Sequence, residues 1–180
     1  CCSLLAAQPP IRPPGEAFAY HAFTQGFLLG EVVRRVTGQT MGDWIRAELT
    51  EPHDIDFHLG VPEPVRPRIA EIDHAAMPPS NDGPDRVADV NTARWQASEF
   101  PSSNGHGNAR SVAQLLSVLT RHPAIDRDPL GEGALDLVRT VDWDGPDPVT
   151  GTNVRMGVGF GHSSRSMPVG VNDETVWWAG

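Results

Sequence analysis

Residues 13–23 read Pro-Pro-Gly-Glu-Ala-Phe-Ala-Tyr-His-Ala-Phe, and they set the interpretation of the rest of the chain. The prolines and Gly15 predict a turn, after which a short extended run leads to Tyr20. Tyr20 is the only tyrosine among the 180 residues. Directly after it, the apolar residues take up the spacing of a helix. The stretch therefore predicts a turn, a short extended run and then a long helix.

The strongest helix signal in the chain runs from Phe23 to Val36. Apolar residues recur there at three- and four-residue spacing, and Gly38 follows two arginines at the position of a helix C-cap. A second apolar stripe widens the face, which predicts a helix buried on more than one side. Gly26 and Gly30 are four residues apart, so we expect another backbone to approach the helix closely there.

Four other segments carry helix signals. Residues 2–8 resemble the end of a helix that the following prolines close. Thr40 begins a capping box and predicts a helix through Leu49, and Ser111 is expected to cap a helix that ends at Pro123. A short helix is predicted over residues 134–141.

Strand signals occur around residues 55–59 and again in the last third of the chain. Alternation predicts strands over residues 55–59 and 155–162, and residues 174–178 are expected to pair back as the second arm of a hairpin within 154–180. Residues 142–152 and 104–108 carry turn chemistry. Residues 61–91 form a proline-rich, loop-rich insertion with a short strand expected at 68–72. The order of elements predicts an α+β fold whose sheet is incomplete within these residues.

Composition limits the possible partners. The net charge is -9 and every basic residue is an arginine, so a nucleic-acid partner is not expected. No apolar run approaches the about 20 residues that span a bilayer, so no membrane partner is expected, and the lack of a leader favours a cytoplasmic location. Oligomeric state is left open by the sequence.

Neither a metal nor another cofactor is expected. Cys1 and Cys2 are adjacent and have no distant cysteine to pair with, and the histidines do not form ligand pairs on one element. The chain starts without methionine and stops after Trp177-Trp178-Ala179-Gly180, which reads as a strand. We therefore expect residues 1–180 to be one partial domain of a longer protein.

Four motifs in order resemble the β-lactamase-related serine hydrolases, which include class C β-lactamases, penicillin-binding DD-peptidases and esterases. The first is Pro-Gly-x-x-x-x-Tyr-His-Ala-x-Thr-x-Gly, and it continues into a helix that ends at Gly38. The second contains Asp56-Phe57-His58-Leu59-Gly60, the third is Asn104-Gly105-His106-Gly107-Asn108-Ala109-Arg110, and the fourth is Gly157-Val158-Gly159-Phe160. The resemblance implies a β-lactamase/transpeptidase-like fold made of a helical subdomain and the first strands of an antiparallel sheet.

The resemblance also implies site residues. In this family a Ser-x-x-Lys serine attacks an ester or lactam carbonyl, and a tyrosine that matches Tyr20 manages the proton. Ala22 stands where penicillin-interacting members have asparagine, and Trp178-Ala179-Gly180 matches the Trp-x-Gly form of the third motif, so both favour the esterase branch. His21, Trp178 and Gly180 are the candidate substrate-binding residues. Without lysine the chain contains no Ser-x-x-Lys, so we expect these residues alone to be inactive.

Alternative interpretations remain open at this point. A lone tyrosine before a helix is commonly a packing residue, and His21 fits a capping or surface role as well as one beside Tyr20. A non-catalytic homologue that keeps the fold for binding or structure is the alternative to a hydrolase acting on small esters or lactams. The sequence upstream of Cys1 distinguishes the two, because only a hydrolase needs a Ser-x-x-Lys there.

Overall fold

A computed structural model describes residues 1–73, 90–119, 130–170, 172 and 174–178 of the chain. Its helices in chain order are α1 (Cys2–Ala6), α2 (Thr24–Thr37), α3 (Met41–Ile45), α4 (Ala93–Ala97), α5 (Ala109–Leu119) and α6 (Ala134–Arg139). A π-helical turn, Arg46–Thr50, continues α3, and a single 3-10 turn covers Arg66–Arg68. Within the described ranges, no helix is long and apolar enough to cross a membrane.

The strands form two antiparallel sheets. A two-stranded sheet joins β1 (Phe57–Leu59) to β2 (Gly105–Gly107). A four-stranded sheet has the order β3-β4-β5-β6 and is a meander, because each strand pairs with the next one along the chain. Its strands are β3 (Val141–Pro146), β4 (Asn153–Gly157), β5 (Gly161–His162) and β6 (Val176–Trp177). The chain is thus α+β with antiparallel sheets, as predicted.

The chain divides into two compact units. One comprises Cys1–Ala22 with Ser117–Gly180 and holds the four-stranded sheet and α6; its buried apolar side chains include Val118, Val138 and Met156. The other comprises Phe23–Leu116 and holds α2, α3, α4 and the two-stranded sheet. Its buried apolar residues are Ile55, Leu59 and Val61.

Helix α2 matches its prediction in extent and differs from it in burial. It ends at Gly38, whose φ of 76° places it in the left-handed region, with Arg34 and Arg35 in the last turn as predicted. The expected burial on more than one side is wrong. Leu28, Leu29, Val32 and Val36 are all exposed, and Gly26 is the buried residue of the helix.

Close backbone approach occurs at one of the two predicted glycines. A Cβ atom on Gly26 would lie 2.5 Å from the Ser102 backbone nitrogen and 2.3 Å from its Oγ. A Cβ atom on Gly30 would meet only Pro101 Cγ, at an ordinary 3.8 Å. The prediction is therefore confirmed for Gly26 and not for Gly30.

Two helix starts show how capping operates here. Thr40 caps α3 as predicted, because its Oγ1 accepts a hydrogen bond from the Asp43 N–H at 3.1 Å. The expected cap at Ser111 is wrong: Asn108 Oδ1 accepts from the Ser111 N–H at 3.0 Å, so α5 begins two residues earlier, at Ala109. The Asn108 side chain lies three residues before Ser111, which is the usual N-cap geometry.

Three predicted turn or strand segments are corrected. Residues 142–146, predicted as turn, belong to β3, because β4 pairs with residues 143–146 and, across a register shift at Asp142, with Val141. Residues 105–107 form β2 for the same reason, opposite β1. The expected strand at 68–72 is absent, since the 3-10 turn ends at Arg68 and irregular chain follows through residue 73. The rest of the expected loop-rich insertion, residues 74–89, lies outside the described residues.

The predicted terminal hairpin is present with one added turn. The expected strand 155–162 is two strands, β4 and β5, that reverse at Gly159 with a φ of 75°. Strand β6 pairs with β5, so that Gly161 lies opposite Trp177 and His162 opposite Val176. A Cβ atom on Gly161 would lie 2.6 Å from Trp177 Cε2, so the tryptophan ring needs a glycine beneath it.

Candidate active site

Tyr20 lies on irregular chain just before the unit boundary at Ala22. The preceding turn closes through a hydrogen bond from the Glu16 N–H to the Pro13 carbonyl, at 3.3 Å, with Gly15 at a φ of 90°. The side chain of Tyr20 is 39 % exposed. Its backbone N–H donates to Oδ1 of Asp147 at 3.2 Å, across 127 positions of sequence. Tyr20 is thus partly exposed, and its backbone N–H is bonded to Asp147 of the same unit.

Asp147 is a buried carboxylate at the start of the β3–β4 loop, with 1 % of its surface exposed. Oδ1 accepts from the N–H groups of Tyr20 and Val149, the latter at 3.0 Å. Oδ2 accepts from the N–H and hydroxyl of Thr150, at 3.3 and 2.7 Å. Burial acts to raise the pKa of Asp147, but the Thr150 hydroxyl and the three N–H donors outweigh it and lower the pKa.

Asp147 is not among the site residues predicted from the sequence, because residues 142–152 were assigned only turn chemistry. A signal was present in Asp-Pro-Val-Thr-Gly, since an aspartate followed by threonine three residues later can accept hydrogen bonds from the turn it starts. That signal predicts the Thr150 contacts. It does not predict the Tyr20 contact, because no local pattern connects positions 20 and 147.

The other sequence-predicted site residues lie in the same unit as Tyr20 where they are described. His21 follows Tyr20 on the exposed segment. Trp178 follows directly after β6 and is 51 % exposed. Gly180, the last residue of the predicted third motif, lies outside the described residues, as does Ala179. Three of the four predicted positions are thus placed, all with exposed side chains.

The other unit contains a separate open cleft of about 420 Å³. His58 and His106 face each other across the β1–β2 pair at its edge, and Arg68 forms an ion pair with Asp56 beside them. Burial lowers the pKa of His106, so this imidazole is neutral near pH 7. The residues predicted to form a structural turn, 104–108, therefore contribute both a strand and part of the cleft wall.

A metal centre has no support in the described residues, among which no group of three or more His, Cys, Asp or Glu could hold an ion. Cys1 and Cys2 are free thiols.

Several proteins of known sequence or structure resemble this chain, including the following three. The esterase/β-lactamase LipL of Mycobacterium tuberculosis is 33 % identical over 146 residues, which cover 68 % of this chain and 34 % of LipL. A penicillin-binding protein homologue from Caulobacter crescentus is 29 % identical with a TM-score of 0.79, covering 99 % of this chain and 51 % of that structure. A family VIII carboxylesterase is 28 % identical with a TM-score of 0.76, covering 91 % and 47 %.

These likenesses agree with each other in fold and in family. The chain spans about a third of the length of LipL and about half of each structure. The β-lactamase family model matches residues 1–180. This match assigns the family from the sequence itself and does not depend on any one relative. The α+β architecture and the motif order around Tyr20 agree with it. The chain belongs to the β-lactamase family of serine hydrolases.

Proposed function

We propose that this chain is the tyrosine-bearing part of a serine hydrolase that forms an acyl-enzyme on small esters or lactams. Tyr20 is the proton-transfer residue of that reaction. The nucleophilic serine and its lysine come from a Ser-x-x-Lys segment outside these 180 residues. Residues 1–180 form one partial domain, and the single family match over both units supports that assignment.

The observation that carries this proposal is the setting of Tyr20. A tyrosine kept for packing usually buries its ring, whereas this phenol is exposed while its backbone is held by a buried carboxylate. A proton-transfer group needs both properties, because it must meet the reacting atoms and must meet them in a constant position.

The proton path then follows from the groups involved. Tyr20 and the lysine of the Ser-x-x-Lys segment together accept the proton of the serine hydroxyl as the serine oxygen bonds to the substrate carbonyl carbon. Tyr20 gives that proton to the leaving oxygen or nitrogen as its bond to the carbonyl carbon breaks. Water attacks the acyl-enzyme by the same route, and the serine regains its proton.

Three more residues have supporting roles in the proposal. Trp178 and Gly180 contact the substrate, as their match to the Trp-x-Gly form of the third motif implies, and the resemblance also implies an oxyanion donor from the backbone that follows this motif. His21 contacts the substrate beside Tyr20. The tryptophan in the third motif, in place of a lysine, and Ala22 in place of an asparagine support an ester over a lactam as the preferred substrate. The name of LipL, an esterase/β-lactamase, keeps both substrates in the test.

The test uses the polypeptide that carries this sequence together with its Ser-x-x-Lys segment. We expect hydrolysis of p-nitrophenyl acetate, loss of that activity when the serine is changed to alanine, and a loss of about 10²- to 10⁴-fold in kcat for Tyr20→Phe. Nitrocefin measures how much lactam turnover accompanies it. Full activity in Tyr20→Phe would contradict the proposed role of Tyr20 in proton transfer.

The 180-residue chain provides a second, independent test. Because it contains no lysine, a fluorophosphonate probe is expected to leave all of its serines unlabelled. Labelling of any of them would contradict the placement of the nucleophile outside these residues.

The absence of lysine also favours one alternative, a non-catalytic homologue that keeps the fold. That alternative predicts a start codon close upstream of Cys1, no Ser-x-x-Lys, and no ester hydrolysis by any natural form of the protein.

A further inference from the structure

Asp147 accepts a hydrogen bond that is not needed to close its own loop. The six-residue loop 147–152 is closed by its own backbone: the Asp147 N–H donates to the Thr152 carbonyl and the Gly151 N–H to the Asp147 carbonyl, both at 2.8 Å. The Asp147 side chain then accepts from Val149 and Thr150 within the loop. The fourth bond, from the Tyr20 N–H, comes from outside the loop and ties down a segment that has no regular structure of its own.

A carboxylate suits this task better than any neutral side chain. It accepts hydrogen bonds at both oxygens and offers no donor, so three N–H groups and a hydroxyl can converge on it without conflict. Bonds to a charged acceptor are also about twice as strong as neutral ones. Asp147 is nearly inaccessible to solvent, so water does not compete for those bonds, and its cost of burial is offset by the four donors.

We propose that Asp147 is a positioning residue for Tyr20: its buried carboxylate fixes the Tyr20 backbone and thereby the path along which the phenol reaches the reacting atoms. This inference rests on the proposed function of Tyr20. Because Asp147 is 1 % exposed, its carboxylate is closed off from a substrate, and the geometry assigns it no proton to transfer. Its effect on the reaction passes through the single bond from its Oδ1 to the Tyr20 N–H.

The structural half of the proposal is tested without any activity. Labelling with ¹⁵N-tyrosine gives the Tyr20 amide its own signal, which is assigned by its disappearance in Tyr20→Phe. Loss of the carboxylate acceptor in Asp147→Ala is expected to move the amide proton signal upfield and to speed its exchange with solvent. Asp147→Asn is expected to move it in the same direction by less, because an amide oxygen is a weaker acceptor.

Thr150→Val is the matched control. It removes a hydroxyl donor from Oδ2 of the same carboxylate and leaves Oδ1, which holds Tyr20, in place. The Tyr20 signal is expected to stay where it is in the wild type. If Asp147→Ala does not fold, the comparison of Asp147→Asn with Thr150→Val still tests the proposal. The proposal is overturned if the Tyr20 signal does not move in folded Asp147→Asn. It is also overturned if the signal moves equally in Asp147→Asn and Thr150→Val.

The functional half uses the polypeptide that carries the Ser-x-x-Lys segment. Asp147→Ala is expected to lower kcat for p-nitrophenyl acetate about 10- to 100-fold with KM within about twofold, since a small misplacement of a reacting group has that effect. In a Tyr20→Phe background the same change is expected to lower kcat by less than about threefold, because the group being positioned is gone.

The two halves fail separately. Equal losses from Asp147→Ala with and without the Tyr20 hydroxyl mean that Asp147 supports the fold and not the reaction, which overturns the positioning role. A wild-type-like kcat in Tyr20→Phe overturns the proposed function itself, whereas the amide signal would still report whether Asp147 holds the Tyr20 backbone.

Discussion

Each unit of this molecule contains irregular chain held by one buried polar side chain, and the two side chains work differently. In the Asn104 loop (residues 98–104), Asn104 is 2 % exposed; its Nδ2 donates to the Trp95 and Ser98 carbonyls and its Oδ1 accepts from the Phe100 N–H. In the Asp147 loop (residues 147–152), Asp147 only accepts.

Asn104 and Asp147 differ in the sequence separation of the residues they bond to and in their charge. Asn104 bonds to residues at most nine positions away, at distances of 2.6–3.0 Å, and so it shapes one local loop. Asp147 joins its loop to Tyr20, 127 positions away. A neutral amide matches a mixture of carbonyls and N–H groups, whereas a carboxylate gathers donors alone. The amide's contribution to stability is independent of pH, and the carboxylate's is not.

The largest expected effect comes from giving the Asn104 loop a carboxylate. Asn104→Asp keeps the shape but sets a carboxylate oxygen against the Trp95 and Ser98 carbonyls, now 3.0 and 2.6 Å from Nδ2. We expect a loss of about 3–5 kcal/mol in the free energy of unfolding at pH 7. Part of it should return in acid, since a protonated carboxyl can donate again. Urea unfolding at pH 7 and pH 4 measures both, and a loss below about 1 kcal/mol at pH 7 contradicts the comparison.

The second expected effect tests what the Asn104 loop holds in place. This loop carries Ser102 to the first turn of α2, where its Oγ accepts from the Gly26 N–H and donates to the Phe23 carbonyl. Gly26→Ala is expected to destabilise by about 1–3 kcal/mol, because its Cβ would overlap the Ser102 backbone.

Gly30→Ala is the control on the same helix. It has room for a Cβ, so it is expected to stabilise by up to about 1 kcal/mol through helix propensity. Thermal unfolding followed by circular dichroism separates the two, and equal shifts in Tm would mean that the loop does not hold Ser102 against the helix.

The third effect concerns the pH dependence of the Asp147 loop. Asp147→Asn is expected to lose about 1–2 kcal/mol at pH 7. The pKa of Asp147 is lowered in the folded state, so its contribution is complete above its unfolded value, about pH 3.9, and is lost as the pH falls through the folded value. The difference in the free energy of unfolding between wild type and Asp147→Asn should therefore become small in acid. Denaturant unfolding from pH 7 to pH 2 measures this difference. A difference that does not change with pH would show that the charge of the Asp147 carboxylate does not stabilise the loop.

The smallest effect belongs to a carboxylate with the opposite surroundings. Asp56 is exposed and paired with Arg68, whose side chain is exposed as well. Solvent screens such a pair, so Arg68→Ala is expected to leave the midpoint of urea unfolding almost unchanged, and to change it less still in 1 M salt. A clear loss of stability would show that the exposure of a carboxylate does not predict its contribution to the stability of this protein.

The parts of the fold that were predictable from sequence are those set by local patterns. Helix α2 follows from apolar spacing and Gly38, and the β5–β6 pair follows from alternation around small residues. Strand β3 does alternate, with Val141, Trp143 and Gly145 more buried than Asp142, Asp144 and Pro146. Because Asp, Gly and Pro fill this segment, its residue types predicted a turn despite the alternation. The segment is a strand because it pairs with β4.

The candidate site divides in the same way. Tyr20 was recognised from its motif, and its exposed setting fits the expectation without testing it. Asp147 was missed, because its bond to Tyr20 is a tertiary contact with no sequence spacing to reveal it. The start of α5 was misplaced since Asn108 and Ser111 are both good caps, and only the packing of Ser111 into the interior settles which one is used.

The exposed apolar side chains of α2 have a consequence for handling the protein in solution. Leu28, Leu29 and Val32 lie within about one turn of each other on the helix and all face solvent. Sulfate and similar salts favour the burial of such surface, so they should promote clustering of molecules at high protein concentration. Mild chaotropes and low salt should keep them dispersed. The exposed face of α2 thus adds an attraction between molecules that opposes the repulsion from the net charge of -9.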